Sequence, residues 1–263
     1  MKLQVDGHHV YAVTAGSADD PGLILLHGAG MDHTFWRYLP RALAAQGWFV
    51  LAPDLPGHGR SDGELLPDID SMAGWVQRLA EAADMPTFAL AGHSMGSLIA
   101  LQAAANAGHA CQALALVGNA YPMQVGEPLL AAAAEGDPSI HSLTTLFGTT
   151  LATRLYGAWP PGCSQLNLRL SQRHHESPGV LHNDLSACNN YRHGEAAAAK
   201  VTAPTLFISG DQDRMTPAKA TAVLRGQLAD ASLTLLTECA HQHSFEQPQA
   251  LLQALGGFLQ NAR

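Results

Sequence analysis

A short strand that turns into a helix through a single serine is the feature that most constrains how this chain folds. Residues 87–100 read TFALAGHSMGSLIA, in which an apolar run precedes GHSMG at residues 92–96 and a helix-forming run follows. At so tight a turn the strand and the helix approach closely, so only small residues fit two places either side of the serine. Gly92 and Gly96 hold those places, and Ala100 extends the thin face by one helical turn.

The same stretch predicts a reactive hydroxyl at Ser94. The strained turn holds the Ser94 side chain clear of the backbone, and the N–H of Met95 at the helix start points toward a negative charge forming beside it. Ser97 lies one turn further into the helix, where we expect its hydroxyl to bond back to the backbone.

The rest of the chain alternates buried strands with helices. A half-exposed strand is expected at residues 8–14. Runs that are apolar at nearly every position, typical of strands buried on both faces, occupy residues 23–26, 48–52, 88–91, 113–117, 205–209 and 233–236. Helices are expected after Asp32 as N-cap, at 71–83, after Thr216 as N-cap with Pro217 as first residue, and at 248–260. This alternation predicts an α/β fold with a mostly parallel central sheet flanked by helices.

The alternation stops between residues 121 and 200, where we find no buried strand and prolines divide the segment into helix-sized pieces. Leucines and a phenylalanine at helical spacing (Leu143, Leu146, Phe147, Leu151 and Leu155) predict one apolar face that packs inside this segment, and any exposed remainder of that face is expected to roof a pocket. We therefore expect a single domain over residues 1–263, with a core of 1–120 and 201–263 and an inserted helical cap at about 121–200.

Composition excludes several classes of partner. The chain of 263 residues has a formal net charge of −8 and no cluster of lysine and arginine, so nucleic acid and anionic membrane surfaces are not expected partners. It contains no apolar run near the length of a membrane span, and its first residues lack the apolar stretch of a signal peptide. The 4 cysteines show no C-x-x-C spacing, which favours reduced thiols in the cytoplasm. The oligomeric state, monomer or homodimer, stays open.

Several motifs now agree in their order along the chain. They are His27-Gly28 after a strand, the turn-rich run of residues 54–61, the turn at Ser94, Gly210-x-x-Asp213 followed by Pro217, and His241 ahead of Glu246 and Pro248. In these the sequence resembles the α/β-hydrolase fold superfamily, in its soluble bacterial esterase, enol-lactonase and haloperoxidase-like branch. One departure is Ala240, because the family usually has glycine just before the histidine.

The resemblance implies a Ser-Asp-His catalytic triad of Ser94, Asp213 and His241. Asp211 is the rival acid, and it fits better as a residue that caps the turn. His243 is the rival base, but the spacing to Glu246 and Pro248 selects His241.

The resemblance also implies an oxyanion hole made by the backbone N–H groups of Ala29 and Met95, whose side chains are expected to line the pocket floor. His27, and His58 with Arg60, are expected to be structural, and His93 is given no chemical role. No cofactor is expected, because water is the second substrate. No metal is expected, because His241 and His243 have no third ligand at suitable spacing. The run His174-His175-Glu176 is expected to be a solvated face.

The expected function is therefore hydrolysis of a carboxylic ester of a small, mainly apolar substrate, through an acyl-enzyme on Ser94 with water as second substrate. Enol-lactone, thioester and C–C bond hydrolysis, and cofactor-free haloperoxidase or perhydrolase chemistry, are alternatives on the same triad. A small-molecule receptor with incidental turnover is the alternative outside enzymes.

Overall fold

The computed structural model describes residues 3–137, 139–155, 177 and 179–262. Within them, a seven-stranded sheet has the strand order β3-β5-β4-β6-β7-β8-β9, and a separate two-stranded sheet pairs β1 with β2. The strands are Leu3–Val5 (β1), His8–Val10 (β2), Ala12–Ala15 (β3), Gly22–Leu26 (β4), Phe49–Pro53 (β5), Phe88–His93 (β6), Cys111–Val117 (β7), Thr205–Gly210 (β8) and Ala231–Leu236 (β9). Only β3 runs antiparallel to its neighbour in the larger sheet, so the predicted fold class is confirmed.

The expected continuous strand at residues 8–14 is wrong, because the chain changes sheets at Tyr11. The Tyr11 N–H donates to Ser61 Oγ at 3.0 Å, and its carbonyl accepts from the Asp54 N–H at 2.8 Å. These bonds to the loop after β5 take up the backbone groups that would otherwise continue one ladder. β2 therefore pairs with β1, whereas β3 pairs with β5.

Helices cover both faces of the larger sheet. The α-helices are Leu39–Ala44 (α1), Ile69–Ala82 (α2), Met95–Ala107 (α3), Glu127–Glu135 (α4), Ser139–Phe147 (α5), Leu151–Leu155 (α6), Val180–Asn190 (α7), Gly194–Ala198 (α8), Ala222–Arg225 (α9), His243–Glu246 (α10) and Pro248–Asn261 (α11). The helix expected after Asp32 is a 3-10 turn, His33–Trp36, separated from α1 by Tyr38 and by Arg37 at φ 50°. Asp32 does cap this turn, since its carboxylate accepts from the Thr34 N–H at 2.7 Å.

Alternate residues of the buried strands supply two cores, one on each face of the sheet. In β4, Ile24 and Leu26 pack with α2 and α3, whereas Leu23 and Leu25 pack with α1 and α11. All four side chains are fully buried, as a strand that is apolar at every position requires. No helix in the described part of the chain is long and apolar enough to cross a membrane.

Between β7 and β8 the described residues form helices α4 to α8 and no strand. Part of this segment packs on itself, since Ala133, Ile140, Leu181 and Leu185 form a small buried cluster. Its end packs differently, because Tyr191 and Ala198 join the core that includes α3. The run His174-His175-Glu176, Cys163 and the side chain of Leu155 lie outside the described residues.

The expectation that the leucine face of α5 and α6 is buried is wrong for the described side chains. Leu143, Leu146, Phe147 and Leu151 are 40%, 41%, 44% and 54% exposed. Among the described side chains of α5, Ile140 is buried, and it packs against α4 and α7. Spacing alone set the face on which apolar residues recur, but the neighbouring helices decide which part of that face is covered.

Candidate active site

The candidate residues meet at one edge of the sheet because each follows the carboxyl end of a parallel strand. Residues 27–30 follow β4, Ser94 follows β6, Asp213 follows β8 and His241 lies in the loop after β9. In open α/β sheets this edge is where ligands bind.

Ser94 stands at the turn between β6 and α3 with φ 53° and ψ −118°, a conformation that non-glycine residues rarely adopt. Its N–H donates to the Val117 carbonyl at 2.9 Å, which holds the turn against β7. An added Cβ at Gly92 would collide with the Gly96 carbonyl, and one at Gly96 would collide with the carbonyls of residues 26 and 27. The predicted need for small residues at both places is confirmed.

Two hydrogen bonds behind the turn support it. The Ser97 hydroxyl donates to the Ser94 carbonyl at 2.6 Å, as predicted for a serine one turn into the helix. Asn119 in turn donates from Nδ2 to Ser97 Oγ at 2.8 Å. Asn119 was missed by sequence reasoning, because a residue after β7 gives no sign of which helix it will face.

Asp213 and His241 form a buried pair, with His241 Nδ1 and Asp213 Oδ2 2.8 Å apart. A carboxylate only accepts hydrogen bonds, so His241 carries its proton on Nδ1 and presents the lone pair of Nε2. Asp213 Oδ1 also accepts from the N–H groups of Met215 and Thr216, at 2.9 and 2.8 Å. Burial by itself would raise the Asp213 pKa, but the charge and hydrogen bond of His241, with the hydrogen bond from the Thr216 N–H, hold that pKa well below its usual range.

Thr216 does not have the expected role of helix N-cap. Its hydroxyl donates to Asp213 Oδ2 at 2.7 Å and lies 3.0 Å from His241 Nδ1, and the next turn begins only after Pro217. Thr216 therefore fixes the carboxylate and the imidazole together. The sequence did contain a signal for this role, because a hydroxyl three residues after Asp213 can reach back to its carboxylate. Pro217, directly after Thr216, favoured the helix N-cap interpretation instead.

Asp211 and His243, the alternative acid and the alternative base, make other contacts. Asp211 is exposed and accepts from the Cys239 N–H at 3.2 Å, the turn-capping role expected of it. His243 is fully buried and its Nδ1 lies 2.8 Å from the His241 carbonyl.

His93 shares that carbonyl with His243. His93 Nε2 lies 3.0 Å from the same oxygen, and its ring stacks on Phe35 with centroids 3.9 Å apart. Burial, and then the neighbouring histidines, lower the pKa of His93, and burial lowers the pKa of His243 to about 4. Both rings are therefore neutral at neutral pH and donate one proton each, which fixes the backbone of His241 from two sides.

Ser94 and His241 line one cavity of about 60 Å³. Its other walls are mainly apolar or backbone: Ala29, Gly30, Met31, Thr144, Leu181, Leu185, Met215 and Gln242. A depression of about 470 Å³ lies near the amino end of β6, lined by Gln77, Met85 and Phe88 among others. We place the chemistry in the smaller cavity, because it lies at the carboxyl edge and contains both a hydroxyl and an imidazole.

The loop after β4 brings Ala29 to this cavity. A Cβ added to Gly28 would lie 3.3 Å from Ser94 Cβ, so the loop runs directly beside the serine. Among the described residues, no group accepts from the Ala29 N–H, and Met95 is the first residue of α3, whose N–H has no acceptor within the helix. The Met95 side chain does not line the pocket floor as expected. It is fully buried in the core, because the first turn of α3 is packed against the sheet.

His27 is held within its loop. Its Nδ1 donates to the Gly28 carbonyl at 2.9 Å, and its Nε2 accepts from the Leu55 N–H at 3.1 Å. Burial, and then the charge of His58, lower the His27 pKa to about 4. Both ring nitrogens are used within the loops, which fits the structural role expected of His27.

In the described part of the chain, one group of side chains has metal-ligand geometry: Asp32, His33 and Asp54. Its oxygens are already used, since Asp54 accepts from the His33 N–H at 2.8 Å and from the Arg60 N–H at 2.9 Å, and Asp32 caps the 3-10 turn. His33 Nδ1 also lies 2.7 Å from Asp54 Oδ1. The group therefore braces two loops and is not a candidate metal centre.

The chain belongs to the alpha/beta hydrolase fold family, which matches residues 21–248. Fold and site had already pointed there, through the serine turn after β6 and the Asp–His pair after β8 and β9.

Two curated relatives show how the match is distributed. A 2-hydroxy-6-oxononadienedioate/2-hydroxy-6-oxononatrienedioate hydrolase of Cupriavidus pinatubonensis is 26% identical over 266 aligned positions, covering 91% of this chain and 86% of the relative. The dihydrolipoyllysine-residue acetyltransferase component of the acetoin cleaving system of Pseudomonas putida is 36% identical over 121 positions. That second match covers 46% of this chain and only 32% of the relative's length.

Solved structures share the whole fold. A bacterial membrane phospholipase A, described as a virulence factor, superposes with a TM-score of 0.84 at 28% identity, covering 100% of this chain and 86% of that protein. The enol-lactonase of Burkholderia xenovorans LB400 superposes with a TM-score of 0.85 at 21% identity, covering 99% of this chain and 100% of that protein. At this identity, the similarity to the enol-lactonase shows the fold alone.

Proposed function

We propose that this protein is a serine hydrolase that cleaves a carboxylic ester of a small, mainly apolar substrate through an acyl-enzyme on Ser94. One observation carries the proposal: Ser94, at a strained turn, shares a cavity with His241, whose Nδ1 is 2.8 Å from the buried Asp213. A serine hydroxyl is a weak nucleophile at neutral pH and needs a base of this kind beside it.

In the proposed reaction, Ser94 Oγ attacks the ester carbonyl carbon while its proton passes to His241 Nε2. The carbonyl oxygen becomes an oxyanion, which the N–H groups of Ala29 and Met95 stabilise. His241 then gives the proton to the leaving alcohol as the C–O bond breaks. Water repeats the sequence on the acyl-enzyme, with His241 as base, and releases the acid and Ser94. Asp213 keeps the imidazole in the required tautomer and stabilises its charged form.

The cavity supports the proposed substrate class. A volume of about 60 Å³ accommodates a short acyl group, and the side chains of Met31, Leu181, Leu185 and Met215 make its walls apolar. Among the described residues that line it there is no lysine or arginine to bind a carboxylate. Short-chain, uncharged esters fit these walls best.

The test compares p-nitrophenyl acetate, butyrate and octanoate with wild type and Ser94→Ala. With wild type, we expect turnover to fall as the acyl chain becomes longer. In Ser94→Ala, we expect turnover of the short esters to drop by a factor of about 10⁴ or more. A fluorophosphonate should add its mass to Ser94 alone. Equal rates in the two proteins, or labelling at another residue, would contradict the proposal. Tight ligand binding with no turnover would favour a receptor instead.

A second candidate is hydrolysis of a C–C bond, because the C. pinatubonensis relative that aligns with 91% of this chain is a hydrolase of oxo-dienedioates. The same serine and oxyanion site serve that reaction. The apolar lining of the described cavity disfavours a substrate with two carboxylates. Turnover of 2-hydroxy-6-oxononadienedioate faster than of any p-nitrophenyl ester would favour this candidate over the ester hydrolase.

A further inference from the structure

The loop that carries Ala29 is tied to a helix more than 150 residues away in the chain. The Gly30 N–H donates to Asp184 Oδ2 at 2.8 Å, and Asp184 lies on α7, within the segment between β7 and β8. Because Gly30 directly follows Ala29, this bond acts on the peptide next to the proposed oxyanion donor. A role for the bond in catalysis therefore rests on the proposed function.

Asp184 is itself held by a buried charge. His58 Nε2 lies 2.8 Å from the same Oδ2, and His58 Nδ1 lies 2.9 Å from the Pro56 carbonyl. Both ring nitrogens face acceptors, so both carry a proton and the ring is an imidazolium paired with a carboxylate. Burial alone would lower the His58 pKa and raise that of Asp184. Their mutual attraction and hydrogen bond outweigh it, raising the first pKa and lowering the second.

The loop that carries Ala29 is also held by a tight turn and by further contacts with α7 and Ser94. The Met31 N–H donates to the Gly28 carbonyl at 3.1 Å, which closes a tight turn with Gly30 at φ 64°. A Cβ added to Gly30 would lie 3.0 Å from Leu181 Cδ1, so α7 touches this glycine with Leu181 as well as with Asp184, one turn further along. Below the turn, Gly28 packs against Ser94. The direction of the Ala29 N–H is thus set between α7 on one side and Ser94 on the other.

We propose that Asp184 is a positioning residue for the oxyanion hole, and that α7 directs the Ala29 N–H at Ser94 through the Asp184–Gly30 hydrogen bond, with His58 fixing the carboxylate. The helical segment that covers the substrate cavity then also orients a group that acts in the transition state. His58, expected only to hold loops together, becomes part of that support.

The proposal predicts that loss of Asp184 lowers kcat and leaves KM nearly unchanged. An oxyanion donor acts mainly when the negative charge forms, so a misdirected donor slows the chemical step and leaves ground-state binding nearly unchanged. For Asp184→Ala we expect kcat on p-nitrophenyl acetate to fall by about 30-fold or more, with KM within about threefold of wild type. Inhibition by a trifluoromethyl ketone, which forms a tetrahedral oxyanion on serine, should weaken by the same factor as kcat.

The matched control is Asn189→Ala. Asn189 lies on α7 and its Oδ1 accepts from the Val125 N–H at 3.1 Å, so its removal loosens the same helix without touching Asp184 or Gly30. We expect kcat and inhibitor affinity within about threefold of wild type. Equal losses in the two variants, or a rise in KM at unchanged kcat, would mean that Asp184 only anchors α7 and would overturn the proposal.

A double variant, His58→Gln with Asp184→Asn, keeps the test decisive if Asp184→Ala folds poorly. The glutamine amide can donate to the asparagine oxygen, which can still accept from Gly30, so the hydrogen bond survives without buried charge. We expect its kcat on p-nitrophenyl acetate to stay within about tenfold of wild type. A larger loss of kcat in a folded double variant would count against the proposal. A wild type that neither hydrolyses esters nor takes the fluorophosphonate would instead defeat the proposed function.

Discussion

Asp211 and Asp213 lie two residues apart after β8, and their surroundings make them a matched pair. Asp213 is 5% exposed and accepts from His241, Met215 and Thr216, whereas Asp211 faces solvent and caps a turn. We expect Asp213→Asn to lower kcat by about four orders of magnitude, because the amide leaves the imidazole in the wrong tautomer. Asp211→Asn should stay within about threefold of wild type.

The measurement is kcat on p-nitrophenyl acetate, with near-ultraviolet circular dichroism to show that both variants fold. A large loss in Asp211→Asn with an active Asp213→Asn would reverse the assignment of the acid.

Among single residues, the sequence predicted those that chain order and spacing define. Asp213 and His241 are brought together as predicted, and their catalytic roles stay predictions that the variants above test. Thr216, His93 and Asp184 were missed as supporting residues. Asp184 contacts residues 126 and 154 positions away in the chain, and no local pattern records such a contact.

Among the elements, α3 and α11 give the sharpest contrast between two helical glycines. Gly96 in α3 lies against the carbonyl oxygens at the end of β4, whereas Gly257 in α11 is exposed with no atom within 4 Å of an added Cβ. Gly96→Ala should push α3 off the sheet, destabilise the protein by about 3 kcal/mol and remove esterase activity, because backbone cannot yield as a flexible side chain does.

Gly257→Ala is the control, and it should stabilise the protein by about 0.5–1 kcal/mol, since alanine loses less entropy in a helix. Urea unfolding of both variants checks the pair. A Gly96→Ala protein as stable and active as wild type would show that the close approach of helix and strand is not required.

The elements that the sequence predicted best are those with a local cause. The strands of the sheet interior and helices α2, α3 and α11 were expected within a few residues of their observed bounds, because apolar runs and caps specify them. The exposed face of α5 and α6 and the break at Tyr11 were not, because burial and sheet membership depend on neighbours distant in the chain.

For the whole molecule, buried histidines set how stability depends on pH. Burial lowers the pKa of His27 and His243 to about 4, and it also lowers that of His93. Below the ordinary histidine pKa of about 6.5, the unfolded chain therefore binds protons that these histidines do not bind in the folded chain. Stability should fall as pH falls from about 6.5 toward 4, by about 1.4 kcal/mol per pH unit for each such histidine.

The His58–Asp184 pair acts in the opposite direction at higher pH. The His58 pKa is raised, so its contribution is complete below about 6.5 and is lost as pH rises through the folded value. The Asp184 and Asp213 pKa values are lowered, so their contributions are present above about 3.9 and are lost in acid. The sum of these terms places maximum stability near neutral pH, with a steep loss on the acid side.

Urea unfolding of wild type at pH 7 and pH 5 should show this loss. His243→Asn removes one buried imidazole and should narrow the difference between the two pH values by about 2 kcal/mol, since it removes one proton uptake over about 1.5 pH units. His109→Gln changes an exposed histidine and should leave the difference unchanged. A wild type equally stable at both pH values would mean that the buried rings reach solvent when protonated, and that the packing around His241 is looser than its hydrogen bonds indicate.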